Sequence, residues 1–323
     1  MKEIVWGIIG CGNVTEVKSG PAFNKVSQSR LYAVMRRDIA KAEDYARRHN
    51  VPKFYGNAND LINDSEVNAI YIATPPNSHE QYCLAAIAAS KSVYVEKPMA
   101  IGYLQALNIK KAAEAKNVKL SVAHYRNTQP YFNAIKQYIE LGKIGEIRQV
   151  ELKLFKPALT EDQLKEPGKY WRINPLVSGG GLFHDLAPHQ FGILLYYFGD
   201  VENVTGTSSS IQKKYLVDDK VDVAIDFKNG IQFFGQWDFA AEQNIDECII
   251  KGALGTIHFS FFGKQEILLT QNNTAQLVSF TPPQHVQQPH IEKVVQYFLG
   301  QAGNPCSAHE GTEVMRIIEI CTQ

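Results

Sequence analysis

The sequence predicts an α/β fold in two parts: a parallel sheet covered by helices, then an α+β part on a large, open-faced, mainly antiparallel sheet. Three observations carry this. Strands that are apolar throughout alternate with helical segments over the first part of the chain. Beyond it, strands alternate strictly between apolar and polar residues. The first strand also ends in a Gly10-Cys11-Gly12 turn.

The early strands are Ile4–Ile9, Leu31–Met35, Ala69–Ala73, Ser92–Val95 and Leu120–Ala123, with helices clearest at Ser78–Ser90 and Leu104–Lys116. Strands without a polar face need cover on both sides, as in a parallel sheet flanked by helices. A helix at Tyr131–Leu141 stops at Gly142, and the period then changes. Val150, Leu152 and Leu154 oppose Glu151 and Lys153; Val221, Val223, Ile225 and Phe227 oppose Asp222, Ala224 and Asp226. Ile231, Phe233, Trp237 and Phe239 continue it after the turn Lys228-Asn229-Gly230, and Ile257, Phe259 and Phe261 follow. Half-buried strands of this kind form an antiparallel sheet with one open face. Helices at Leu182–Phe198, Ile291–Leu299 and Glu310–Cys321 complete the set. The expected division is a Rossmann-type dinucleotide-binding domain at 1–125 and an α+β domain at 126–323.

Composition narrows the function. Lys plus Arg and Asp plus Glu are 33 each, so no net field draws nucleic acid or an acidic membrane. The apolar start, Ile4–Ile9, is far short of the roughly 20 residues of a span and meets Asn13 and Glu16 at once. Cys11, Cys83, Cys248, Cys306 and Cys321 are odd in number and scattered, without a CxxC pair. They read as reduced thiols of a cytoplasmic protein, with neither a disulfide framework nor a metal site.

Gly10-Cys11-Gly12-Asn13-Val14-Thr15 follows the first strand as a phosphate-binding turn would. The first glycine permits the tight turn and the second lets backbone approach a pyrophosphate, which the next helix meets with its positive end. Thr15 stands where a third glycine is usual. The second strand ends in Arg36-Arg37-Asp38, where an NAD site places an acid for the ribose 2′-hydroxyl. Two guanidinium groups suit a 2′-phosphate instead, so NADP is expected over NAD, which stays possible.

Three later segments suggest chemistry. Thr74-Pro75-Pro76-Asn77-Ser78-His79 leaves a strand at its carboxyl end, where ligands of such sheets bind; Ser78 or Asn77 would cap the next helix. His79 either touches the cofactor or faces solvent in the first helical turn. Glu96-Lys97-Pro98 follows the next strand and sets a lysine where nicotinamide and substrate would meet. Trp171-Arg172 precede Ser178-Gly179-Gly180-Gly181, which open a helix carrying Asp185 and, four residues on, His189. That spacing places both on one face. The helix start favours an ionised Asp185, and histidine, whose unperturbed pKa lies near neutrality, is the residue type that a proton shuttle at position 189 needs. His184 points off that face and reads as structural.

Together these segments resemble the Gfo/Idh/MocA family of oxidoreductases, along nearly the whole chain. Trp-Arg-x-x-Pro before Ser-Gly-Gly-Gly is similar to its branch of glucose–fructose oxidoreductase, 1,5-anhydrofructose reductase and dihydrodiol dehydrogenase, which commonly uses NADP. The resemblance implies catalysis by Lys97 and His189, with Asp185 orienting His189 or holding substrate hydroxyls. It implies a cofactor site of Gly10, Gly12, Asn13, Val14, Arg36, Arg37, Thr74, Pro75, Asn77, His79, Glu96 and Lys97, lined further by Trp171 and Arg172. It also implies a cis Lys97–Pro98 peptide, a sugar-like or polyol substrate, and a homodimer or homotetramer paired through the open sheet. Two rival functions stay open here: glycosidic cleavage with transient use of bound NAD, and a non-catalytic NADP-binding regulator.

Overall fold

A computed structural model describes residues 2–213, 215–272 and 274–323. The chain divides into two compact units, Met1–Gln129 with Pro283–Met315, and Pro130–Pro282 with Arg316–Gln323. A single boundary after residue 125 therefore misses the return of residues 283–315 to the first unit.

In the first unit the chain runs β1 (Ile4–Ile9), α1 (Asn13–Val17), β2 (Ser29–Met35), α2 (Ile39–His49), β3 (Lys53–Tyr55), α3 (Ala58–Ile62) and β4 (Ala69–Ile72). It continues with α4 (His79–Ala88), β5 (Ser92–Val95), α5 (Tyr103–Lys116) and β6 (Leu120–Val122). All six strands are parallel, in the order β3-β2-β1-β4-β5-β6. This is the doubly wound dinucleotide-binding order, with its switch point between β1 and β4. The wholly apolar strands are explained by burial: every residue of β1 and β4 is buried. Asp38 starts α2 by accepting from Lys41 N at 3.3 Å, and Asn50 ends it with φ 54°.

The second unit holds α6 (Pro130–Glu140), β7 (Ile147–Phe155), α7 (Glu161–Lys165), α8 (Pro167–Ile173), α9 (Pro175–Ser178) and α10 (Gly181–Phe198). Then come β8 (Val201–Ser209), β9 (Lys220–Phe227), β10 (Gln232–Asp238), β11 (Ile245–Gly252), β12 (Gly255–Phe259), β13 (Glu266–Gln271) and β14 (Thr274–Ser279). Its sheet has the order β14-β13-β12-β11-β7-β10-β9-β8, antiparallel except where β7 meets β10. The expected alternation is there. Val221, Val223, Ile225 and Phe227 face inward with Phe233 and Trp237, and all are buried. Most aromatic residues of this sheet therefore form its core. The open face carries Phe234 with Leu268 and Leu277 among polar neighbours.

Two helices close the chain, α11 (Gln288–Leu299) and α12 (Ala308–Cys321). Ile291, Val294, Val295 and Phe298 lie at helical spacing on α11 and enter the core cluster of Trp6, Phe23, Tyr71 and Tyr94. That apolar stripe is why α11 belongs to the first unit.

Candidate functional site

The glycine turn forms as its residues require. Gly10 has φ +95°, a left-handed conformation, and its N–H donates to Met35 O at 2.9 Å. A side chain there would meet Thr74 Cγ2 at 2.7 Å and Thr74 N at 2.9 Å, so the turn presses directly on the loop after β4. Gly12 is open: an added Cβ would meet only Gly10 O, at 3.9 Å. Asn13 is exposed and Val14 half-buried beside it. Thr15 fits in place of a third glycine because it is fully buried and its hydroxyl donates to Gly12 O at 2.8 Å.

Arg36 leaves β2 half-buried and donates from Nη1 to Cys11 O at 3.3 Å, which brings its guanidinium beside the turn. Arg37 and Pro75 and Asn77 are exposed. Burial pushes the Cys11 thiol up to about 11, although Arg36 pulls it down. Arg48, by contrast, is committed: its hydrogen bonds hold Glu16 down to about 2 and it also grips Asp44.

The loop after β4 is closed by its own hydroxyls. Ser78 Oγ donates to Thr74 Oγ1 at 2.8 Å and lies 3.0 Å from Pro75 O; it makes no cap to the helix, contrary to expectation. His79 neither faces solvent nor offers its ring to a ligand. It is fully buried, with Nε2 2.7 Å from Thr74 O and Nδ1 2.9 Å from Pro98 O.

The Lys97–Pro98 peptide is cis, and Lys97 is half-buried. Glu96, expected at the cofactor, turns inward instead. Its Oε1 accepts from Tyr71 Oη at 2.5 Å and Gln287 Nε2 at 2.6 Å, while Oε2 accepts from Lys97 N at 3.2 Å. Tyr94 Oη donates in turn to Gln287 Oε1 at 3.2 Å. Tyr71 and Gln287 were not identified from sequence. Tyr71 looks like any buried strand residue, and Gln287 lies 191 residues from Glu96.

In the second unit α8 presents Trp171 and Arg172. Arg172 lies 4.5 Å over the Trp171 ring, donates from Nε to Asp185 Oδ2 at 2.8 Å, and bonds Gly168 O. The Asp185 side chain is only 15% exposed, so this ion pair, more than the helix start, supports its charge. His189 follows one turn later, buried, its ring edge-on to Phe262 at 5.8 Å. Phe262, also missed from sequence, sits on a tight turn held by Asp246. The Asp246 carboxylate accepts from the backbone N–H of Phe261, Phe262 and Gly263 at 3.0, 2.6 and 2.8 Å. Two glycines at the start of α10 serve packing: a Cβ on Gly180 would meet the His184 ring at 2.1 Å, and one on Gly181 would meet Val217 at 2.5 Å. Burial takes His184 down to about 4, in keeping with a structural role.

The first unit fits a dinucleotide. Bare backbone at Gly12, the left-handed turn at Gly10 and the cation of Arg36 stand at the carboxyl end of β1, beside the switch point. Among the described residues there is no group of three or more His, Cys, Asp or Glu able to hold a metal ion, and no helix long and apolar enough to cross a membrane.

Comparisons with known proteins agree with this geometry. Residues 4–124 match the Gfo/Idh/MocA oxidoreductase family model with its NAD-binding Rossmann fold, and residues 132–258 match the C-terminal domain of that family. The chain is 44% identical over 318 residues to oxidoreductase P35 of Formosa agariphila, covering 98% of each. It is 26% identical to 1,5-anhydro-D-fructose reductase of Ensifer adhaerens over 70% of this chain and 66% of that one. Among solved structures, levoglucosan dehydrogenase in complex with NADH and levoglucosan has the same fold, with TM-score 0.83, 21% identity, and 98% and 96% of the two chains covered. The chain belongs to the Gfo/Idh/MocA family of NAD(P)-binding oxidoreductases.

Proposed function

We propose that this oxidoreductase prefers NADP and moves a hydride to or from a hydroxyl-bearing carbon of a sugar-like or cyclic polyol substrate. The observation that supports the cofactor choice is Arg36, which stands at the end of β2 with its guanidinium beside the glycine turn. An NAD site needs an acid there, whereas a guanidinium pairs with a 2′-phosphate. The substrate class is supported by the sugar-like compounds named for two relatives.

The bound nicotinamide supplies the hydride acceptor or donor. Gly10, Gly12, Asn13 and Val14 would hold the dinucleotide's pyrophosphate, and Arg36 and Arg37 the 2′-phosphate of its adenosine ribose; Thr74, Pro75 and Asn77 would line its path. In the oxidative direction His189 takes the proton from the reacting hydroxyl. Lys97 donates a hydrogen bond to that oxygen and stabilises its developing negative charge. Arg172 fixes Asp185, which holds substrate hydroxyls or orients His189, and Trp171 offers an apolar wall.

The cofactor claim is tested by titrating NADPH and NADH into wild type and Arg36→Asp, following nicotinamide fluorescence. Loss of a charge-assisted contact worth roughly 1.5–3 kcal/mol weakens NADPH binding roughly 10- to 100-fold. NADH binding should hold or improve. Equal affinity of both proteins for NADPH would refute the assignment.

A further inference from the structure

The strand-end loops that carry the glycine-turn contact and Lys97 are joined by one buried side chain. Thr74, whose carbonyl faces His79 Nε2 at 2.7 Å, abuts Gly10. Pro98, whose carbonyl faces His79 Nδ1 at 2.9 Å, closes the cis turn behind Lys97. A neutral imidazole has one N–H, so it can satisfy one of these carbonyls while turning a lone pair on the other. Only the imidazolium donates to both.

The charges around the ring are few. Glu96, at the end of β5, favours the cation. From β4, Tyr71 donates to that carboxylate. Glu80, on the same helix as His79, accepts from Asn108 Nδ2 of α5 at 2.9 Å. Burial works against the charge and leaves the ring below its ordinary pKa, although both carbonyls and Glu96 pull it upward.

We infer that His79 is a positioning residue: as an imidazolium it clasps the Thr74 and Pro98 carbonyls together and so sets the turn that carries Lys97. The importance of that turn rests on the role proposed above for Lys97. The clasp is complete in acid and gives up one donor as pH rises through the ring's pKa, on the acid side of the ordinary histidine range. Its effect on chemistry passes through backbone, since His79 itself touches neither cofactor nor substrate.

The test uses the full chain labelled with 15N-histidine and 13Cε-lysine, titrated from about pH 5 to about pH 8.5 by NMR, alone and with NADPH. Both His79 nitrogens should carry protons at the acid end and one at the basic end. The Lys97 Cε resonance, assigned with Lys97→Arg, should step at the same midpoint in wild type. That step should vanish in His79→Gln, whose neutral amide does not titrate. A His79 ring that holds one neutral tautomer throughout overturns the clasp. A Lys97 resonance indifferent to the His79 titration overturns the positioning role, and wild type alone decides both points if the variant does not fold. Neither readout needs turnover. A wrong role for Lys97 shows separately, as wild-type turnover in Lys97→Met.

Discussion

Replacing Tyr71 by phenylalanine removes a single oxygen from the first unit's core and leaves the ring in place. The side chain is fully buried, stacks on Tyr94 at 5.0 Å, and lies 3.1 Å from Ser19 Oγ. Its hydroxyl keeps its proton, because burial and the Glu96 carboxylate hold its pKa well above the ordinary value. What Tyr71→Phe loses is one short donor to a buried carboxylate, a bond of the charge-assisted class worth roughly 1.5–3 kcal/mol. No cavity opens, and Glu96 Oε1 keeps Gln287 Nε2 at 2.6 Å, so the expected cost is about 2 kcal/mol. For a unit of this size that corresponds to a fall in Tm of roughly 4–8 °C. Tyr94→Phe is the internal control: it loses only a 3.2 Å bond to a neutral amide and should cost about 1 kcal/mol. Urea unfolding of the three proteins measures both. A Tyr71→Phe cost below about 0.5 kcal/mol, or no larger than that of Tyr94→Phe, would refute the claim that this network stabilises Glu96.

Three further outcomes are expected. Gly10→Ala puts a Cβ 2.7 Å from Thr74 Cγ2 at φ +95°, so stability should fall by about 1–3 kcal/mol. NADPH binding should also weaken about tenfold or more by fluorescence titration, and unchanged binding would show that the turn tolerates the shift. Acid should destabilise the fold through buried neutral histidines. Burial takes His184 to about 4, while burial followed by the nearby His124 takes His290 to about 3. The unfolded chain protonates both near about 6.5, so below that pH it binds more protons than the native state. Stability should therefore drop by about 1.4 kcal/mol per pH unit for each histidine, until each native pKa is reached. Denaturant midpoints from about pH 7 to about pH 5 check this, and a flat profile would contradict it. Finally, Asp246→Ala unties three backbone N–H groups from the Phe262 turn. Turnover should fall more than NADPH affinity; an equal loss of both would point to general unfolding.

The elements that sequence disclosed best were those whose periodicity depends only on local burial. Uniformly apolar β1 and β4 announced a covered parallel sheet, and β9 and β10 an open-faced one. Position at a strand's end, however, tells where a residue leaves the sheet and not where its side chain turns. Glu96 follows β5 directly and His79 opens α4 after the loop from β4, and both turn inward to buried partners. The amphipathic pattern of α11 marked a helix but could not say whose core it fills. That depended on Trp6, at the other end of the chain, whose ring lies 5.7 Å from Phe298. Residues 161–178 carry no strong period, and their three short helices rest on caps such as Thr160 and Asn174 that were not singled out. The position of Arg36 was legible because it follows β2, which local pattern already marked, and its guanidinium does reach the glycine turn at Cys11 O.

Hydride transfer with NADP, which we propose that Lys97 and His189 carry, has a direct optical readout. Its most direct test is a nicotinamide absorbance screen of wild type, Lys97→Met and His189→Asn with NADP⁺ and NADPH against sugars, inositols, dicarbonyls and dihydrodiols. Wild type should give a cofactor-linked absorbance change with at least one of these compounds, faster than with NAD(H). Turnover should fall by a factor on the order of 100 or more in each variant, while NADPH still binds. Sugar release without any absorbance change, or wild-type turnover in either variant, would contradict this reading.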